Sequence, residues 1–170
     1  MKYIYKIAFL SIMAICSCTG KIAETAKEKP AIAQENMNTE AHAKEVKTLT
    51  SGPGTIFYDI TFEEALEQAA KENRMVLVNC HTESCGPCRK MEERVFTQEA
   101  CGEYLNQRFI PIIIDCNDEA NADFCKKYDV QIYPTYLIIA PNGIKEGVII
   151  GSEFDIEKFI EKFKVIMHEI

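Results

Sequence analysis

The sequence predicts a layered α/β domain built around a mixed sheet, and three observations carry that reading. Short β-branched runs at residues 75–80, 109–115 and 135–140 alternate with amphipathic stretches of helical period. The turn Pro141-Asn142-Gly143 folds the third run back onto a fourth, residues 147–150. An amphipathic stretch then closes the chain. Crossover helices join parallel strands and a tight turn joins antiparallel ones, so the sheet must contain both kinds of pairing.

The elements follow in order. Phe62, Ala65, Leu66, Ala69 and Ala70 recur at helical spacing, with Glu63, Glu64, Glu67 and Lys71 on the other side. Residues 75–80, MVLVNC, form a buried strand. Residues 89–96 suit a helix that leaves the segment ESCGPCRKM, and Thr97 can cap another helix carrying Ala100, Tyr104 and Leu105. Residues 109–115, FIPIIID, form the next buried strand, with Pro111 awkwardly near its start. Residues 120–128 are helical. Ile156, Phe159, Ile160, Phe163 and Met167 line the final helix.

The chain has 170 residues, 47% of them hydrophobic, which is room for one ordinary domain with something left over. Its formal charge is −7, with no basic stripe, which argues against nucleic acid as the main partner. Eight cysteines are too few for a disulfide-packed miniprotein of this length. Residues 1–18 open with Lys2 and Lys6, followed by an apolar run from Ile7 to Ile15. That run is too short to span a bilayer but fits a secretory signal. It ends in Cys16-Ser17-Cys18 and resembles a bacterial lipoprotein signal, whose cleavage leaves a lipid-modified cysteine at the new N-terminus. Cys18 is the candidate for lipidation and Cys16 the fallback; an ordinary signal peptide is the alternative. Residues 19–55 are rich in Ala, Glu, Lys, Thr and Asn and end at Gly52-Pro53-Gly54, the composition of a flexible linker. Residues 56–170 are the domain. Either kind of signal places it outside the cytoplasm, where disulfides persist.

Cys85 and Cys88 stand directly after a strand and open a helix. A structural zinc site wants four ligands, usually from a second Cys-x-x-Cys. The other cysteines stand singly, and His42, His81 and His168 are scattered. A structural staple normally links distant segments, because a tiny loop constrains the unfolded chain least. A redox pair needs what is present. Cys85 falls at a helix N-terminus, where N–H groups and the helix dipole stabilise a thiolate. Cys88 lies one turn in, close enough to close a disulfide and less exposed. Pro87 is tolerated in a first turn, where its missing N–H has no partner anyway.

The segment VLVNCHTESCGPCRKM resembles the active site of the thioredoxin superfamily, and VQIYPT resembles that family's loop before a cis proline, here Pro134. The resemblance spans about residues 57–170. The stretch RVFTQEACGEYLNQRFIPIIIDC is similar to one branch, the thioredoxin-like domains of bacterial envelope reductases, including the soluble C-terminal domain of the transmembrane electron carrier. It implies the thioredoxin fold, with Cys85 as attacking nucleophile and Cys88 as resolving thiol. Pro134 would then shape the groove beside Cys85, and the Tyr133 backbone would bind an extended substrate strand. By the same resemblance, Gly86 and Pro87 would tune the pair.

Three positions depart from the thioredoxin pattern. Asn79 stands where thioredoxin has a buried Asp thought to help deprotonate the resolving cysteine. His81 and Ser84 replace two tryptophans. His81 and Glu83 are candidates for tuning the thiols, against a solvated or hydrogen-bonded surface role for each. Cys80 reads as a core residue. Cys101 stands apart, and Cys116 and Cys125 bracket one short connection, as a second disulfide or as two thiols. The expectation is a monomeric thiol–disulfide oxidoreductase of the bacterial envelope that reduces disulfide-containing proteins. A transmembrane carrier of reductant would be its electron donor. No cofactor and no metal is expected. Rivals are an isomerase, a copper carrier using Cys85, Cys88 and His81, and a non-catalytic interaction domain.

Overall fold

The computed structural model describes residues 52–169; the expected signal segment with Cys16 and Cys18, and the expected linker before Gly52, lie outside the described residues. Helix α1 (Phe62–Glu72) begins where the Thr61 hydroxyl accepts the Glu64 N–H and the Glu64 carboxylate accepts the Thr61 N–H. Two N–H groups that the helix leaves unpaired are thereby satisfied. Asn73, in the left-handed region at φ 52°, ends it. Strand β1 (Met75–His81) follows, then α2 (Gly86–Arg94), α3 (Glu99–Arg108) and strand β2 (Phe109–Asp115). A 3₁₀ turn, Glu119–Asn121, leads into α4 (Ala122–Lys127). The hairpin β3 (Thr135–Ile139) and β4 (Lys145–Ile150) precedes α5 (Ile156–Ile166).

The sheet order is β2-β1-β3-β4, with β1 parallel to β2 and antiparallel to β3, and β3 antiparallel to β4. Alternation along the strands sorts the side chains to two faces. On one face Leu77, Tyr136, Ile138 and Ile149 pack with Met91 and Val95, with Tyr104 and Leu105 of α3, and with Phe159 and Phe163 of α5. Phe159 sits at the centre, its ring meeting Tyr136 at 5.2 Å and Phe163 at 5.1 Å. On the other face Val76, Val78, Cys80, Leu137 and Ile139 pack with Ala65 and Ala69 of α1 and with Cys125 and Tyr128. Each large side chain removed from water in this way contributes roughly 1.5–3 kcal/mol.

This architecture is the mixed sheet flanked by helices that the sequence predicts. Pro111 is explained by its place. β2 is the edge strand, and the Pro111 carbonyl points outward to accept the Tyr58 N–H at 2.8 Å. Its nitrogen therefore faces away from β1, and the missing N–H costs the ladder nothing. Thr97 is not the cap of α3. Gln98 holds that position without a side-chain bond, while the Thr97 hydroxyl donates to the Glu93 carbonyl at 2.9 Å. A Thr one turn past a helical carbonyl bonds backwards to it, which closes α2. The predicted helix over 120–128 starts with the 3₁₀ turn, because the Asp118 carboxylate takes the Ala120 N–H.

Packing of the domain begins at Gly54. A Cβ there would lie 2.1 Å from the Phe96 carbonyl, and one on Gly102 would lie 2.3 Å from the Pro53 carbonyl. The two glycines let the entering chain lie against the α2–α3 connection, with the Thr55 N–H donating to Phe96.

Cys116 and Cys125 form a disulfide with a Cα separation of 6.2 Å. It ties the end of β2 to α4. Chain-entropy arguments give a loop of this size about 2–3 kcal/mol. Cys116→Ser with Cys125→Ser is therefore expected to lower the urea-unfolding free energy by about 2–3 kcal/mol without changing the far-UV spectrum. Unfolding free energies that match the parent would mean the pair constrains nothing.

Candidate active site

The site is built where β1 ends. Thr82 turns the chain, its carbonyl accepting the Cys85 N–H at 3.0 Å. Cys85 is then the N-cap of α2, with extended backbone, and its Sγ accepts the Cys88 N–H at 3.2 Å. Gly86 and Pro87 fill the first two helical positions, and Cys88 is the third. No polar group is lost to Pro87, since the first N–H groups of a helix have no partner within it. A Cβ on Gly86 would meet nothing within 4 Å, so no steric demand fixes that glycine.

Cys85 and Cys88 are joined as a disulfide, with Cα atoms 5.3 Å apart. The two sulfurs differ in surroundings. Cys85 is half-exposed at the helix start, whereas Cys88 is 1% exposed and packs inward beside Met91. On reduction, only the outer one meets a large reagent, and it sits where unpaired N–H groups favour a thiolate. Arg89 donates through its guanidinium to the Glu83 carbonyl at 2.8 Å, which ties the loop before Cys85 to the helix. Glu83 itself is exposed.

The β1–β3 register pairs Cys80 with Thr135, so Pro134 falls at the same end of the sheet as His81 and the loop that follows it. The Tyr133–Pro134 peptide is cis. Pro134 is buried and its carbonyl accepts the Gly151 N–H at 2.8 Å; Tyr133 is half-buried. The Thr135 hydroxyl donates to the Ile132 carbonyl at 2.7 Å, holding this loop.

Asn79 is 1% exposed in mid-strand, opposite Tyr136, on the face that α2 covers. Its Oδ1 has no hydrogen-bond partner, and neither has the Tyr136 hydroxyl. Burial first, and then the negative charge of Glu92, hold the Tyr136 phenol well above its ordinary range. His81 Nδ1 lies 3.1 Å from Glu92 Oε1, both side chains half-buried. Sequence reading singles out His81 but passes over Glu92 and Tyr136. The available signal is Glu92 at four residues past Cys88, and Tyr136 two residues past the cis proline.

The free thiols among the described residues, Cys80 and Cys101, are both buried. Burial pushes Cys80 up to about 12; it pushes Cys101 up to about 11, with the Thr55 hydroxyl opposing the shift. Among the described residues no three His, Cys, Asp or Glu side chains gather as a metal-ligand set.

The thioredoxin-like family model matches residues 57–141. Rat spermatogenesis-associated protein 20 is 27% identical over 81 residues, 48% of this chain. That stretch is 9% of the rat protein, so this chain spans a small part of that relative's length. A solution structure of a Bacteroides thetaiotaomicron protein, proposed to be a disulphide-isomerase, is 30% identical with a TM-score of 0.63. The match covers 71% of this chain and 98% of that one. The oxidised C-terminal domain of DsbD from Neisseria meningitidis is 20% identical with a TM-score of 0.52, over 61% of this chain and 90% of its own. At that identity the likeness is one of fold alone.

Proposed function

This chain belongs to the thioredoxin-like family, and we propose that, as a thiol–disulfide oxidoreductase, it works in the reducing direction on oxidised proteins of the bacterial envelope. The observation that carries the reading is the asymmetry of the pair: Cys85 half-exposed at the helix N-cap, Cys88 buried one turn in. Cys85 thiolate attacks a client disulfide. One client sulfur leaves as thiolate and the other stays bonded to Cys85. Cys88 then attacks Cys85, the client departs reduced, and Cys85–Cys88 is left oxidised. Two electrons pass from the pair to the client, and a membrane-bound carrier of reductant restores the dithiol. Pro134 and the Tyr133 backbone line the side on which an extended client segment would lie.

A second reading, disulfide isomerisation, is favoured by the Bacteroides thetaiotaomicron protein proposed to have that activity. Insulin reduction against refolding of a scrambled, disulfide-rich substrate separates the two. The reductase reading expects fast insulin precipitation with dithiothreitol and little reshuffling. Efficient reshuffling with slow insulin reduction would favour the isomerase.

The apolar run ending in Cys16-Ser17-Cys18 supports lipidation at Cys18 and a tethered domain on the periplasmic side. Cys18→Ala should release the protein from membranes or block its processing. Native protein recovered wholly soluble, without lipid mass on its N-terminus, would remove the anchor.

A further inference from the structure

Position 79, buried on the face of the sheet that α2 covers, carries an amide, and the same face carries a histidine–carboxylate pair. His81 stands two residues beyond Asn79 on β1, so its side chain shares that face. Glu92, whose Oε1 lies 3.1 Å from His81 Nδ1, is one turn past Cys88 on α2. Residues four apart on a helix are surface neighbours, with Cβ atoms roughly 5–6 Å apart. The pair thus bridges strand and helix beside the resolving thiol.

Other titratable groups stand on the neighbouring elements. Asp115 on β2 is the register partner of His81, and its Oδ1 is engaged by the Asn117 N–H. Tyr136 on β3 presents a neutral phenol and feels the charge of Glu92. Glu83, in the loop, is exposed, and Arg89 is turned to the Glu83 carbonyl. With Glu92 ionised, its oxygen accepts and His81 Nδ1–H donates, which leaves Nε2 as an acceptor. A carboxylate that fixes the tautomer of an imidazole in this way prepares it as a general base.

We propose that His81, oriented by Glu92, takes the proton from Cys88 when the mixed disulfide resolves, in place of a buried acid at position 79. The inference rests on the reading of Cys88 as the resolving thiol. The proton passes from Cys88 Sγ to His81 Nε2, directly or through one water. The Cys88 thiolate bonds to Cys85 Sγ, the Cys85–client bond breaks, and its electron pair leaves on the client sulfur. His81 then gives its proton to solvent or to the departing thiolate. The buried oxygens of Asn79 and Tyr136, on register-paired positions of β1 and β3, are the polar contacts that would hold an intervening water.

Rapid mixing of the reduced protein with the aromatic disulfide of thionitrobenzoate tests this. Its first absorbance phase reports attack by Cys85, and its second reports resolution by Cys88. His81→Gln and Glu92→Gln are each expected to slow the second phase about tenfold near pH 7, and the double variant should be no slower than either single one. The gap should close by about pH 9, where solvent hydroxide suffices to make the thiolate. Glu93→Gln, the same charge change on an exposed neighbour, should match the parent. Adding Asn79→Asp to Glu92→Gln should restore the second phase, which a folding defect would not permit. Second-phase pH profiles that superimpose on the parent would overturn the proposal. A parent protein with no first phase would instead remove the reading of the pair on which it rests.

Discussion

Cys85→Ser is expected to lower disulfide reduction by roughly 10³-fold or more, because among the described residues no other exposed thiol can take over the attack. Cys80 and Cys101 are buried with thiols held far above the ordinary range, and Cys116 and Cys125 are bonded to one another. Cys88→Ser should behave differently. It leaves the exposed nucleophile at the N-cap of α2 but removes the group that releases the client. Client proteins should then accumulate on Cys85 as mixed disulfides, visible as high-mass bands on non-reducing gels that collapse with dithiothreitol. The reverse pattern, with trapping by Cys85→Ser alone, would exchange the roles of the two sulfurs. The asymmetry rests on burial: Cys88 is 1% exposed and Cys85 is not.

Asn79→Asp should carry the largest stability cost near the site. The new carboxyl would stand 1% exposed, at a position whose Oδ1 has no partner. Desolvation raises the pKa of such a group in the folded state above its unfolded value. The folded protein then holds a proton that the unfolded chain has lost. Relative to the parent, stability is little changed below about pH 4, then falls by about 1.4 kcal/mol per pH unit until the folded-state pKa is passed. Urea unfolding at pH 4 and pH 8 should show a deficit of at least about 2 kcal/mol at pH 8 and a much smaller one at pH 4. Equal deficits at both would mean the carboxylate finds a partner on ionising. In the parent background this variant should change resolution little, because His81 and Glu92 already serve Cys88.

Much of the fold is legible in the residues. Strand runs at 75–80, 109–115 and 135–140 are short, apolar, rich in β-branched residues and bounded by turns, so they read as buried strands without tertiary information. The Cys pair is legible because its chemistry depends on local context, a strand before it and a helix start beneath it. What stays hidden depends on neighbours distant in sequence. Pro111 looks misplaced until β2 is known to be an edge and its carbonyl to face Tyr58. Whether Cys116 and Cys125 pair depends on how the 3₁₀ turn and α4 fold back, which spacing cannot fix. Glu92 looks like one of many exposed acids on a charged helix. Only the register of β1 beneath α2 brings it to His81. Thr97 illustrates the opposite failure, a good local signal for a cap overridden because its hydroxyl bonds back to a carbonyl in the last turn of the helix before it.

The central claim is that Cys85 and Cys88 cycle together between dithiol and disulfide and act as a reductant. Its most direct test is a redox titration of the parent protein against dithiothreitol and glutathione buffers. The chain has no Trp, so alkylation mass shifts with peptide mapping would follow each cysteine pair. Cys85 and Cys88 are expected to titrate as one two-electron couple, near thioredoxin at about −270 mV, with Cys116 and Cys125 separate from it. A couple near about −120 mV would make the protein an oxidant, and a pair that never titrates would make it a staple; either result would rule out a reducing role.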